Sequence, residues 1–199
     1  MGCDIHLYVE KRVNKKWVYA SAKDHGCNTQ FGEQYGYDYW YDGRNYSLFS
    51  ILANVRNGYG FAGCVTGEGF MPISEPRGLP KDVCLKIKKE SAEWGGDGHS
   101  HSWLTLKELQ DYDWRGHITI HQGMVGEEGF KEYLENGSPS HWAGGMMGDG
   151  VKTVSNNQMR DIISGVTPRV PGERYITSIK WPESYYSCTP DFVDRVIPN

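Results

Sequence analysis

The stretch NGYGFAGCVTGEGFMPISEPRGLP (residues 57–80) limits the fold more than any other part of the chain. Glycine or proline interrupts it every few residues, so neither a helical nor a strand period can run through it. A chain broken this way is assembled from short elements on either side of a long connection. Glycine is frequent throughout, 25 of 199 residues, and aromatic residues make up 13%. Tight turns combined with large half-polar rings predict a loop-rich globular protein with a recessed site.

The flanking segments supply the elements. CDIHLYVEKR (3–12) alternates, with Cys3, Ile5, Leu7 and Val9 on one face and Asp4, His6, Tyr8 and Glu10 on the other. VNKK then turns the chain and WVYAS returns it as a hairpin. Residues 21–43, rich in Gly, Tyr and Asp, show no period and read as a loop. RNYSLFSILANVRNG (44–58) is helical, with Leu48, Phe49, Ile51, Leu52 and Val55 on one face and Gly58 as the stop. KDVCLKIKKESAEW (81–94) is a helix opened by Pro80, and TLKELQDY opens on a Thr105/Glu108 capping box. Beyond it, HITIHQ (117–122) is a strand, EEGFKEYLENG a helix ended by Gly137, and SNNQMRDIISG a helix capped by Ser155. RYITSIKW is the last strand and TPDFVDRVI a final helix, with Thr189 as cap. The expectation is a single α+β domain over 1–199: a small antiparallel sheet, made of the N-terminal hairpin and the C-terminal strand, with several short helices and long Gly/aromatic loops.

Bulk properties exclude several classes. The net charge of −4 and the lack of a basic face argue against duplex DNA. No apolar run approaches about 18 residues, so no membrane span is expected. No basic-then-apolar leader is visible. Five scattered cysteines without a CxxC argue against a secreted disulfide framework and a four-thiolate zinc site, which makes the cytoplasm the default location.

Three groups carry candidate chemistry. Asp4 and His6 lie two apart on one strand face, beside Tyr8. In DGHSHSW, Asp97, His99 and His101 share a face if the segment is extended. Two imidazoles and carboxylates suit a divalent ion, Zn or Mn. The metal set is therefore Asp4, His6, Asp97, His99 and His101, and the catalytic set His6, His99 and His101. Over five residues D-x-H-x-H resembles the metal signature of amidohydrolase-type barrels and PHP phosphoesterases. A chain of 199 residues is too short for such a barrel, so only the ligand chemistry carries over. Arg44, Asn45, Arg56 and Arg77 form the third group, donors suited to phosphate or carboxylate. For each group an ordinary structural role competes: a polar strand edge, imidazoles bonded within a turn, and surface ion pairs. His25, His121 and His141 lack partner spacing and read as loop or surface residues.

The blocks MGCDIHLYVE, RNYSLFSILANVRNG, PRGLPKDV and DGHSHSWLTLKEL, in this order over roughly the first 115 residues, resemble an uncharacterised family of small bacteriophage and prophage proteins. The resemblance implies a phage-encoded accessory protein in the host cytoplasm, and no catalytic residue comes with it. Three functions remain open. One is a metal-assisted hydrolase or phosphodiesterase acting on a nucleotide-like phosphorylated small molecule, with a metal-free acid–base variant using the same histidines. A second is a nucleotide-sequestering, anti-defence protein without catalysis. The third is an interaction module that inhibits a host enzyme through the aromatic loop of Tyr35, Tyr37, Tyr39, Trp40 and Tyr41.

Overall fold

The computed structural model describes residues 4–27 and 29–198. Its contacts group the chain into two compact units. The first holds the residues up to 57, 70–117 and those from 185 onward; the second holds 58–69 and 118–184. The class is α+β, as expected.

In the first unit, β1 (Val9–Val13) and β2 (Lys16–Ala20) form an antiparallel hairpin with Val9 opposite Ala20. Asn14 and Lys15 between them are both left-handed (φ 49° and 67°), the backbone that a two-residue turn needs to match strand twist. Ahead of β1 the chain pairs with residues 40–43: Leu7 N–H donates to Tyr41 O at 2.9 Å and Trp40 N–H to Leu7 O at 3.0 Å. The expected alternation is present, since Ile5, Leu7 and Val9 pack on the core. Cys3, assigned to the same face, lies outside the described residues.

The stretch expected as a loop over 21–43 contains a helix, α1 (Gln30–Tyr35). Thr29 accepts from Gly32 N–H at its start and left-handed Gly36 closes it. Caps at both ends stabilise so short a helix without an apolar period. α2 (Tyr46–Ala53) buries Leu48 and Ile51, and Asn45 caps it by accepting from Leu48 N–H. Left-handed Asn54 ends it, so Val55 and Gly58 fall beyond the helix rather than on its face and at its stop. α3 (Leu85–Trp94) begins later than Pro80 implied. The Cys84 N–H is drawn to Glu10 Oε1 at 2.7 Å, which fixes the helix start there. α4 (Leu106–Asp111) carries the expected capping box. A short helix, Tyr185–Cys188, leads to a wide π turn over Phe192–Val196 in place of the expected final α-helix. The core gathers Trp40, Leu48, Ile51, Trp114, Tyr185 and Phe192.

The second unit is a three-stranded sheet with two helices: β3 (Ile118–Gly126), α5 (Glu127–Asn136), β4 (Val151–Thr153), α6 (Asn156–Ile163) and β5 (Arg174–Ser184). β5 is central, antiparallel to β3 and parallel to β4. The topology therefore differs from the one antiparallel sheet expected: the hairpin keeps its own sheet, and β5 pairs within the second unit. β4 is three residues long, too short to show alternation, and the parallel pairing is made possible by the α6 crossover. Gly137 ends α5, and Ser155 with Gln158 makes a full capping box on α6. Val125, Phe130, Met159, Ile162, Ile179 and Trp181 form the core. Among the described residues no helix is long and apolar enough to cross a membrane.

Candidate ligand-binding site

All the side chains singled out in the sequence fall in the first unit, and most are already engaged. Pairing of 4–8 with 40–43 carries Asp4 to Arg44. The guanidinium donates from Nε to Oδ1 at 2.8 Å and from Nη2 to Oδ2 at 3.2 Å. Both side chains are well exposed, so the pair contributes at most about 1 kcal/mol. Asn45 caps α2 and donates to Cys188 O at 2.8 Å. Arg56, left-handed at φ 51°, lies over the Tyr46 ring at 5.0 Å. Arg77 donates to both Glu108 oxygens, at 3.1 and 2.5 Å, and covers Trp103 at 4.7 Å. That guanidinium holds the Glu108 carboxyl down at about 2.

The DGHSHSW segment is not extended. Asp97 ends a 3₁₀ turn and Ser100 is left-handed at φ 60°. The alternation that would aim Asp97, His99 and His101 one way is therefore broken. Exposed His99 turns its Nδ1 to Ser100 Oγ at 2.8 Å, while His101 Nε2 meets Ser91 Oγ on α3 at 2.8 Å. Among the described residues, no three of Asp4, His6, Asp97, His99 and His101 bring their ligand atoms within 4.8 Å of one another.

His6 stands apart from the others. Its ring stacks on Tyr39 at 4.5 Å and 7°, and tilts against Trp94 at 4.8 Å. Tyr37 stacks on the far side of Tyr39 at 5.0 Å, and Tyr8 meets Tyr39 edge-on at 5.3 Å. The result is a ladder, Tyr37–Tyr39–His6–Trp94. Its inner rung Tyr39 is 1% exposed, while the end rungs Tyr37 and Trp94 are 37% and 40% exposed. Beside it, α3 presents Ile87, Glu90, Ser91 and Trp94, spaced to share one helical face. Two of these four are polar on a stripe that packing alone would make apolar. Glu90 Oε2 is sealed from solvent and completes no hydrogen bond, whereas the buried Tyr39 hydroxyl lies within reach of Tyr8.

The electrostatics follow from this burial. Desolvation lowers the His6 pKa, although Asp4, Asp42 and Glu90 all pull it the other way. Desolvation, reinforced by the Glu90 carboxylate and Tyr39, pushes the Tyr8 phenol far up. At neutral pH the site therefore holds a neutral imidazole and neutral phenols in a locally acidic field.

The second unit has its own imidazole. His121 is 6% exposed, which corrects the surface placement read from sequence. Its position in the β3 alternation, with Thr119 and Val125, turns it inward. It stacks on Trp181 at 5.4 Å, tilts against Trp142 at 5.6 Å, and places Nε2 3.4 Å from Glu183 Oε2. Imidazole and carboxylate are both metal-ligating types, so this unit offers a divalent ion two ligands there. The signal for the pair was the strand register, since Trp181 faces His121 and Glu183 lies two residues on.

Desolvation lowers the pKa of both His6 and His121 from the ordinary 6.5. The unfolded chain thus binds protons at a higher pH than the folded one. The resulting stability is present above about pH 6.5 and is lost as pH falls through the lowered folded values. Urea unfolding is expected to show a lower midpoint at pH 5 than at pH 7.5, and the His6→Gln/His121→Gln double variant to flatten that difference. Equal midpoints in the unaltered protein would contradict it. No protein-family model, curated protein or solved structure matches this chain.

Proposed function

We propose that the first unit binds a planar aromatic small molecule carrying N–H donors, of the nucleobase or nucleoside class, at the Tyr37–Tyr39–His6–Trp94 ladder. The observation that carries this reading is Glu90 Oε2, a buried carboxylate oxygen that completes no hydrogen bond, beside rings stacked as Tyr39 on His6. A buried polar atom without a partner costs about 1–3 kcal/mol, so a donor that reaches it is favoured by a similar amount. Stacking on an aromatic face adds about 1–3 kcal/mol for any base.

The surrounding charge selects against polyphosphates. Asp4, Asp42 and Glu90 all act on His6, and the Arg77 guanidinium is committed to Glu108. Metal-assisted phosphodiester hydrolysis has weaker support, because its five ligand candidates do not gather into a group of three. A sequestering role needs only the binding step, and neutral His6 beside a carboxylate leaves proton transfer chemically available.

Calorimetry with a series running from nucleobase to nucleoside to triphosphate, with tryptophan fluorescence in parallel, tests the reading. Nucleosides are expected to bind and each added phosphate to weaken binding. Glu90→Gln is expected to cost about 10–100-fold in affinity, the value of a hydrogen bond to a charged group. Absence of binding across the series, or tightest binding by the triphosphate, overturns it.

A further inference from the structure

The inner stripe of α3 carries a second polar residue, Ser91, one position from Glu90 and three from Trp94. Its hydroxyl lies 2.8 Å from His101 Nε2, and both side chains are half-buried. A hydroxyl and an imidazole at that separation have the spacing of an activated nucleophile and its base. The backbone around them is built for close approach. A Cβ on Gly98 would stand 2.8 Å from the Trp94 Cβ and 3.4 Å from the Ser91 carbonyl oxygen, so the turn after α3 needs glycine to pack there. Ser100, the residue that aims His101, is held left-handed at φ 60°, a conformation that costs a side-chain-bearing residue about 1–2 kcal/mol. Strain and glycine are thus both spent on placing one ring against one hydroxyl.

We propose that Ser91 and His101 form a nucleophile–base pair that acts on carboxylic esters. With the ring proton on Nδ1, His101 Nε2 accepts the Ser91 hydroxyl proton as Oγ bonds to the ester carbonyl carbon. The proton then passes to the departing alkoxide, which leaves as the alcohol. Water, giving a proton to the same nitrogen, adds to the acyl-serine and releases the carboxylic acid, and the proton returns to Oγ. Aryl fluorophosphonates follow the first half alone: the Oγ–P bond forms, P–F breaks, and fluoride departs as His101 takes the proton.

The experiment is time-resolved labelling of the full chain with a fluorophosphonate, read by peptide mass spectrometry. An adduct is expected on Ser91, lost in Ser91→Ala and slowed 100-fold or more in His101→Gln, which keeps a hydrogen-bonding side chain but no base. Ser140→Ala, which removes an exposed hydroxyl bonded to His141 in the second unit, is expected to leave the Ser91 rate unchanged. Circular dichroism of each variant separates unfolding from chemistry. An unmodified Ser91 in the folded protein, or equal rates with and without the imidazole, overturns the proposal. Nucleoside binding and Ser91 labelling are read separately, so either can fail alone.

Discussion

Trp181→Ala is expected to destabilise the second unit by about 3–5 kcal/mol, the range for removing a large buried ring. Trp181 is 2% exposed in the second half of β5, inside the cluster of Val125, Phe130, Met159 and Ile179. It stacks on His121 at 5.4 Å and meets Trp142 edge-on at 5.2 Å, so three rings share one interface. Alanine leaves a cavity between β5 and the helices and strips the buried imidazole of its cover. Trp181→Phe keeps most of the ring area, and its cost is expected to be less than half as large. Denaturant unfolding followed by near-ultraviolet circular dichroism gives both numbers. A loss below about 1 kcal/mol for alanine would mean that the site collapses around the gap and that the three-ring interface contributes little.

Gly67→Ala is expected to cost a comparable amount, about 2–5 kcal/mol, for a backbone reason. Gly67 sits at φ +144°, and a Cβ there would lie 2.2 Å from the Ile120 carbonyl oxygen and 2.9 Å from the His121 Cα. Neither atom belongs to a flexible side chain, so the strand or the loop has to move. The loop is sewn to β3 at that point: Glu68 N–H donates to Ile120 O at 3.0 Å and Gln122 N–H to Thr66 O at 2.8 Å. Thr119 Oγ1 adds a bond to Gly69 O at 2.5 Å. Separation by even one ångström breaks these bonds, which adds to strain and overpacking terms of about 1–3 kcal/mol each. Gly63→Ala is the comparison. It has positive φ but no atom within 4 Å, so about 1–2 kcal/mol of backbone strain is all that is expected. Amide exchange should show Glu68 and Gln122 losing protection in the Gly67 variant alone. Unchanged protection there would refute the clash.

The features legible without the structure are those encoded within a few residues. The capping boxes at Thr105 and Ser155 and the stop at Gly137 depend on contacts three or four positions apart, and each is present. The apolar face of Ile5, Leu7 and Val9 and the buried Leu48 and Ile51 follow from periods of two and 3.6. His6 reads as a candidate from the sequence alone because acid, imidazole and phenol occur together on its strand face.

What tertiary structure alone decided are the partners. Nothing near residue 6 says that Tyr39 and Trp94 will cover it, and nothing near residue 90 says that Glu90 and Ser91 will face inward. Asp97, His99 and His101 look equivalent in the string. One left-handed residue, Ser100, sends His99 to solvent and His101 to Ser91. Local periodicity fixes which face a side chain occupies. Which atoms meet that face depends on chain closure over tens of residues, which no short window of sequence contains.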